Sequence, residues 1–308
     1  MLTWIRSLAL VAATSFLAAC GGSDDHPSTT LSVAQSDSRF SILTEAVNAA
    51  GLADTLAGPG PLTVFAPTND AFAALLTELG ITKDALLANK PLLTAVLTYH
   101  VLPAKVERAQ VPLGQPVTTV QGGIFKVDSV GSSLVITDGR NRTATITATD
   151  LQAANGVVHV IDKVILPSDK NIVQTAQALP QFSILVEAVV AADLAGALSG
   201  NGPFTVFAPT NDAFAALLAE LGVTKDALLA DKALLTKVLT YHVVPARVLK
   251  AQVPVGTAIT SLQGDTFTID GTLAITDQAG RKASIVATDV LTSNGVIHVI
   301  DKVILPRL

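Results

Sequence analysis

Cysteine is nearly absent from this sequence. Its 308 residues hold one, Cys20, which excludes an internal disulfide and a zinc site built on several cysteines. Aromatic residues make up only 4%, with two tyrosines and one tryptophan, so any core must be assembled from aliphatic and small side chains. Charged residues make up 15% and none of them form a basic run. Nucleic-acid binding needs a positive patch that displaces counterions, and a basic membrane-binding surface needs the same, so neither is expected. The net charge of -5 is spread evenly: residues 28–167 carry 9 basic and 11 acidic side chains, residues 168–308 carry 10 and 12. What is abundant is apolar: 49% of the chain, the composition of a globular protein and, at this length, of about two domains.

The chain opens MLTWIRSLALVAATSFLAACGGSDD. Arg6 supplies a positive start, Ser7 to Phe16 form an apolar run too short for an ordinary membrane-spanning helix, and small residues precede Cys20. This is the layout of a secretory signal. Its ending, LAAC, resembles the bacterial lipoprotein lipobox, which implies cleavage before Cys20 and lipidation of its thiol. The reading divides the start into a signal peptide, 1–19, and a small polar tether, 20–27, which carries His26 as a solvated residue. Gly21 after the cysteine favours the outer membrane over retention in the inner one. Without lipidation, secretion is the expected fate.

Internal repetition governs the rest. TVFAPTNDAFAALL stands at Thr63–Leu76 and again at Thr205–Leu218, and Thr63–Pro103 matches Thr205–Pro245 with six differences in 41 positions. NGVVHVIDKVILP at 155–167 returns as NGVIHVIDKVILP at 294–306. The offset is 142 between Thr63 and Thr205 and 139 between Asn155 and Asn294. Three residues are therefore missing from the second copy, most simply at the turn near Ser129 to Gly131, where a deletion does least harm. The period is far too long for a solenoid unit, so each copy is a domain: 28–167 and 168–308.

Within one copy, Phe40, Leu43 and Val47 recur at helical spacing and predict a helix over 40–50. GPGP at 58–61 breaks the chain, and Thr63–Phe65 reads as a short strand ended by Pro67. Thr68 or Asn69 can cap the next helix, with Asp70 suiting its positive end. Phe72, Leu75, Leu76 and Leu79 form its buried face, and Gly80 stops it. Two short helices follow, the first capped by Thr82, the second lined by Leu92, Leu93, Val96 and Leu97 and closed by Pro103. From about 118 onward the period changes to two, with Val, Ile and Thr broken by Gly and Asn. These are strands of an antiparallel assembly, which makes the class α+β with helices to one side of a sheet.

TVFAPTNDAF, LTYHVLP and NGVVHVIDKVILP, in that order within about 130 residues, resemble the fasciclin domain family twice over. The resemblance implies two tandem α+β domains, each a wedge-shaped β-sandwich of about seven strands with a helical layer. It also implies an extracellular or membrane-anchored protein of adhesion and matrix binding, not an enzyme. Thr68, Asn69, Asp70, Tyr99, His100 and His159, with Thr210, Asn211, Asp212, Tyr241, His242 and His298, are the family-motif residues. Integrin-type adhesion sequences do not carry over: RGD is absent and DGR at 138–140 only reverses it.

No constellation for chemistry accompanies them. There is no His-x-His, no His-Glu-x-x-His, no Gly-x-Ser-x-Gly and no phosphate-binding glycine loop. Glu78, Asp84 and Asp150 are scattered beside loops or on polar faces, and the histidines and tyrosines read as bonded interior groups. No catalytic residue, metal or cofactor is expected. The function expected is a membrane-tethered binding module of the bacterial envelope, partnered by a protein, matrix or polysaccharide surface through its loops at Gln115–Arg142 and Thr257–Lys282. Two alternatives remain: a small-ligand binder or enzyme with a groove near the Tyr-His pairs, and an envelope spacer.

Overall fold

The computed structural model describes residues 28–307; the expected signal at 1–19 and the expected tether at 20–27, with Cys20 and His26, lie outside these residues. Domain 1 opens with helices α1 (Thr30–Gln35), α2 (Ser41–Ala50) and α3 (Ala53–Ala57), then strand β1 (Leu62–Pro67). Helices α4 (Asn69–Leu79), α5 (Lys83–Ala88) and α6 (Lys90–Tyr99) lead to β2 (Val101–Leu102). The strand-rich part is β3 (Pro116–Thr118), β4 (Ile124–Val130), β5 (Ser133–Thr137), β6 (Thr143–Ala153) and β7 (Gly156–Ile161). Domain 2 repeats the order. Its helices are α7 (Ile172–Gln177), α8 (Ser183–Ala191), α9 (Ala195–Ser199), α10 (Asn211–Leu221), α11 (Lys225–Ala230) and α12 (Lys232–Tyr241). Its strands are β8 (Phe204–Pro209), β9 (Val243–Val244), β10 (Ala258–Thr260), β11 (Thr266–Ile269), β12 (Ala274–Thr276), β13 (Lys282–Thr292) and β14 (Gly295–Ile300).

The repeated TVFAPTNDAFAALL is a strand–cap–helix unit. Thr68 has extended backbone and its hydroxyl accepts the Ala71 N–H at 3.3 Å, which satisfies one free donor of the first turn of α4. Asp70 lies in that turn, Phe72 and Leu75 are buried, and Gly80 closes the helix at φ 64°, a left-handed conformation that favours glycine. Thr210 and Gly222 do the same for α10. The helix predicted over 40–50 is α2, preceded by one 3-10 turn at Ser38–Phe40. Helices α1 and α3 are additional to those the periodicity predicts, being too short to show a period.

Each domain has one seven-stranded sheet, in the order β2-β1-β7-β6-β5-β4-β3 and its counterpart β9-β8-β14-β13-β12-β11-β10. The assembly is not wholly antiparallel as the alternation suggested: β1 runs parallel to β7, Leu62 opposite Gly156 through Pro67 opposite Ile161, and β8 runs parallel to β14. Parallel neighbours need a long crossover, and the three helices and five strands between β1 and β7 provide one. These central strands are buried throughout apart from the half-buried first residues of β1 and β8, Leu62 and Phe204, because helices cover one face and the rest of the sheet covers the other.

Two cores follow from that placement. Between helices and sheet lie Phe40, Leu43, Val47, Phe72, Leu93 and Val158. On the other side the sheet folds over itself, so that Phe65 of β1 meets Phe125 of β4 edge-on, centroids 5.2 Å apart, although three strands separate them in the sheet. The bend comes at β6, whose pairing with β7 shifts register twice between Ile146 and Leu151. Asp150, at φ 61°, sits in this bulge, and Asp289 occupies the same place in β13. Gly156 is required by the close approach of β1: a Cβ there would strike the backbone oxygen of Leu62.

Candidate functional site

The Tyr-His pair ends α6. Its backbone turn puts His100 at the helix C-cap, where Nδ1 donates to the Val96 oxygen at 2.7 Å while Nε2 accepts the Ile165 N–H at 3.1 Å. Those partners fix the proton on Nδ1. The ring is buried, and desolvation pushes its pKa down to about 4, against the raising effect of the Val96 hydrogen bond. His242 repeats the arrangement with Val238 at 2.8 Å and Ile304 at 3.1 Å, and burial likewise lowers it to about 4. Both rings are neutral spacers that pin the chain after β7 and β14 to a helix end.

Tyr99 donates its hydroxyl proton to the Ile124 oxygen and accepts the Gly139 N–H at 2.8 Å. Burial, then the nearby Asp138 carboxylate, raises its pKa. Tyr241 donates to the Thr266 oxygen at 2.8 Å and accepts the Gln278 N–H at 3.2 Å, and burial pushes it up to about 12. His159 is buried too: Nε2 donates to the Val106 oxygen at 2.8 Å and Nδ1 accepts the Asp150 N–H at 3.2 Å. His298 does the same with Val248 at 2.8 Å and Asp289 at 3.3 Å. Thr68 and Thr210 cap helices. Asn69 ties α4 to α2 by accepting the Ile42 N–H at 3.0 Å and donating to the Ser38 oxygen at 2.9 Å, and Asn211 repeats this with Ile184 and Pro180. Asp70 and Asp212 are exposed. The structure therefore buries Tyr99 and His100 together at the end of α6, each with its own backbone partners, but keeps His159 on its own strand and Thr68–Asp70 at a separate helix end.

What this arrangement can do chemically is limited. The ring nitrogens and phenol oxygens have backbone partners, and no group of three or more His, Cys, Asp or Glu side chains gathers as a metal site among the described residues. His100 and His242 line apolar voids of about 20 and 30 Å³, room for a water and no substrate.

Several working residues escaped the sequence reading. Asp138 is buried; its Oδ1 accepts the Arg140 and Arg142 N–H groups, and its Oδ2 accepts the Leu166 N–H at 3.0 Å and the Arg142 guanidinium at 2.8 Å. Asp277 holds Leu305 in the same way. Buried Thr63 donates to the Ala104 oxygen and accepts the Val106 N–H. The Asp-x-x-x-Arg spacing common to both copies was the only available signal for the aspartates.

The domains also touch. Lys126 of β4 reaches Asp289 at 2.9 Å, and Asn141 makes two hydrogen bonds to the Leu291 backbone. Burial works against the Lys126 ammonium, but Asp289 and Asp128 together more than offset it and leave its pKa above the ordinary lysine value. A cleft of about 600 Å³ opens beside this contact, with Arg140, Lys170, Leu179, Gln181 and Val290 on its walls.

This duplicated framework of capped helix, tyrosine-histidine helix end and buried-histidine strand coincides with two matches to the fasciclin domain, at residues 38–167 and 180–306. The chain belongs to the fasciclin domain family. The protein sll1483 of Synechocystis sp. is 50% identical over 153 residues, covering 48% of this chain and 81% of that protein. The transforming growth factor-beta-induced protein ig-h3 of Sus scrofa is 32% identical over 251 residues, 81% of this chain but 35% of that protein. Human periostin is 28% identical over 268 residues, 85% of this chain and 29% of periostin. The chain thus spans about a third of these two longer relatives. A solved FAS1 domain pair from the insect cell adhesion molecule fasciclin I covers 85% of this chain and 95% of its own, at 19% identity and a TM-score of 0.41. No helix among the described residues is long and apolar enough to cross a membrane.

Proposed function

We propose that the chain is an extracytoplasmic binding module of adhesive type, held on the bacterial envelope by lipid on Cys20 and contacting a protein, matrix or polysaccharide surface without catalysis. On this reading residues 1–19 are a signal peptide, 20–27 a tether, and 28–167 and 168–308 the two fasciclin domains. The observation that carries it is the saturation of the motif: apart from the exposed Asp70 and Asp212, the polar side chains repeated in both copies are spent on caps, helix ends and strand junctions. What is left for a partner is surface, and the copies differ in their strand-turn loops at 115–142 and 257–281. The absence of a groove at the Tyr-His pairs weighs against the small-ligand reading.

Anchoring follows from N-terminal chemistry. Each buried methylene of an acyl chain contributes about 0.8 kcal/mol, so two or three chains retain a protein without a spanning helix. Ser28, whose oxygen accepts the Ala154 N–H at 2.8 Å, lies beside the β6–β7 turn. The eight residue steps from Cys20 to Ser28 can reach at most about 28 Å, so that end of domain 1 is the membrane-near one and the β10–β12 loops of domain 2 are the far one. Replacing Cys20→Ser should move the protein from the membrane to the soluble fraction; continued retention would sink the anchor. Crosslinking in whole cells should recover a reproducible surface partner, lost on exchange of the Thr257–Lys282 loops. Normal adhesion, biofilm and surface binding in a deletion strain under many conditions would refute the adhesive role.

A further inference from the structure

The contact between the domains uses different faces of the same fold. Domain 1 contributes Ile124 and Lys126 of β4 and Asn141 of the β5–β6 turn; domain 2 contributes Leu249, Asp289 and Leu291, two of them from β13. Ile124 packs with Leu249, Leu291 and Val296 in a buried cluster of its own. The Lys126 ammonium sits between two carboxylates, Asp289 at 2.9 Å and its own neighbour Asp128 at 3.1 Å, and Asp289 is only 3% exposed. Asn141 accepts the Leu291 N–H at 2.6 Å and donates to the Leu291 oxygen at 3.0 Å. A contact between unlike faces of a repeated unit is head-to-tail, and nothing in its geometry stops it from adding further units into a filament.

The repeat supplies an internal comparison. At the positions equivalent to Ile124, Lys126 and Asn141, the outer face of domain 2 carries Thr266, Thr268 and Gly280. At those equivalent to Leu249 and Leu291, the outer face of domain 1 carries Glu107 and Gln152. Each exchange removes an apolar group, the cation or the bidentate amide. The exchange of buried Val127 in β4 itself is conservative, to Ile269, and so is that of Val117 in the adjacent β3, to Ile259. The acidic partners are kept: Asp270 stands where Asp128 does, and Asp150 where Asp289 does. A second copy added head-to-tail would therefore bring Asp270 towards Asp150 and Glu107 with a threonine in place of the lysine that bridges the carboxylates at the junction, and Lys105 beside them is already paired with Glu107 at 3.1 Å and bonded to Gln152 at 2.9 Å.

We propose that the Lys126–Asp289 junction is a specific, closed interface that makes the two domains one rigid unit, and that its outer faces are altered at five equivalent positions so that they refuse a second copy. The partner that this surface fits is the neighbouring domain of the same chain alone. The unit then offers two chemically different ends, one at domain 1 carrying the Lys105–Glu107 pair and Asp150 and a hydroxyl-rich one at domain 2, at a fixed separation.

The test uses the mature chain without Cys20, spin-labelled at Ala73→Cys and Ala215→Cys, both exposed helix positions. Double electron–electron resonance should give one narrow distance distribution. The combined variant Ile124→Thr, Lys126→Thr, Asn141→Gly should broaden it severalfold; it keeps domain 1 folded because domain 2 tolerates those same residues at the same places. Lys126→Asp should broaden it, and adding Asp289→Lys should restore the narrow distribution. In sedimentation the unaltered chain should stay a single two-domain species. Restoring the junction residues outside, with Thr266→Ile, Thr268→Lys, Gly280→Asn, Glu107→Leu and Gln152→Leu, should produce concentration-dependent chains. A broad distribution in the unaltered protein, or an unchanged one in the triple variant, overturns the rigid junction. Self-association of the unaltered chain, or a rewritten chain that stays monomeric, overturns the blocked ends.

Discussion

Acid should unfold this protein through its buried histidines before its carboxylates matter. His100 and His242 are enclosed, with both ring nitrogens committed to the backbone, and burial lowers each pKa from 6.5 to about 4. In the unfolded chain the rings regain ordinary basicity. Between these two values the unfolded state binds more protons, so stability rises with pH across the window. It is fully present above about pH 6.5, falls as the pH drops, and by about pH 4 each histidine has removed about 3 kcal/mol. From about pH 7.5 to about pH 5 the loss is about 2 kcal/mol per domain from these residues alone, and domain 2 loses more because burial also depresses His298. Asp37 and Asp270, whose pKa values hydrogen bonds hold below the ordinary 3.8, add their effect only at lower pH. Each domain has one tyrosine, so tyrosine fluorescence in a Tyr241→Phe background reports domain 1 alone. Urea unfolding at several pH values should show the slope, and His100→Gln should lower stability at neutral pH while flattening that slope. A flat profile from about pH 7.5 to 5, or a His100→Gln variant with the unaltered slope, would refute the reasoning.

Two substitutions probe the framework. Thr63→Val keeps the shape of a buried side chain but strands the Ala104 oxygen and the Val106 N–H; denaturant titration should show a loss of about 1–3 kcal/mol, and Thr205→Val should match it in domain 2. Gly156→Ala should destabilise domain 1 by about 3 kcal/mol or more, because its methyl would meet the Leu62 backbone; a loss no larger than that of Gly271→Ala, where the added carbon meets nothing and the backbone is not left-handed, would disprove the close-approach argument.

Much of each domain was legible because its signals are local. Thr68 followed by Asn69 and Asp70 marks a helix start from hydroxyl chemistry alone, and Gly80 marks its stop. Phe72 and Leu75 show the buried face by spacing. The direction of β1 was not legible, since alternation and β-branching describe a strand without saying which way its neighbour runs. Asp138 and Thr63 were passed over for a related reason. A buried polar side chain is recognised by its partners, and those lie 28 and 41 residues away. The loops at Gln115–Arg142 were expected to face a partner. Part of that stretch, Ile124, Lys126 and Asn141, instead covers domain 2.

The sequence by itself determined the duplication, the family, the α+β class and the helix caps, because each rests on residues adjacent in the chain or on comparison of two copies. Only the tertiary structure decided that β1 joins β7 in parallel, that the sheet folds over a second core, and that the histidines are neutral struts. It alone showed that Lys126 meets Asp289, 163 residues away. Desolvation and ion pairing depend on what surrounds a group in space, and one sequence position carries no record of its surroundings until the chain has folded.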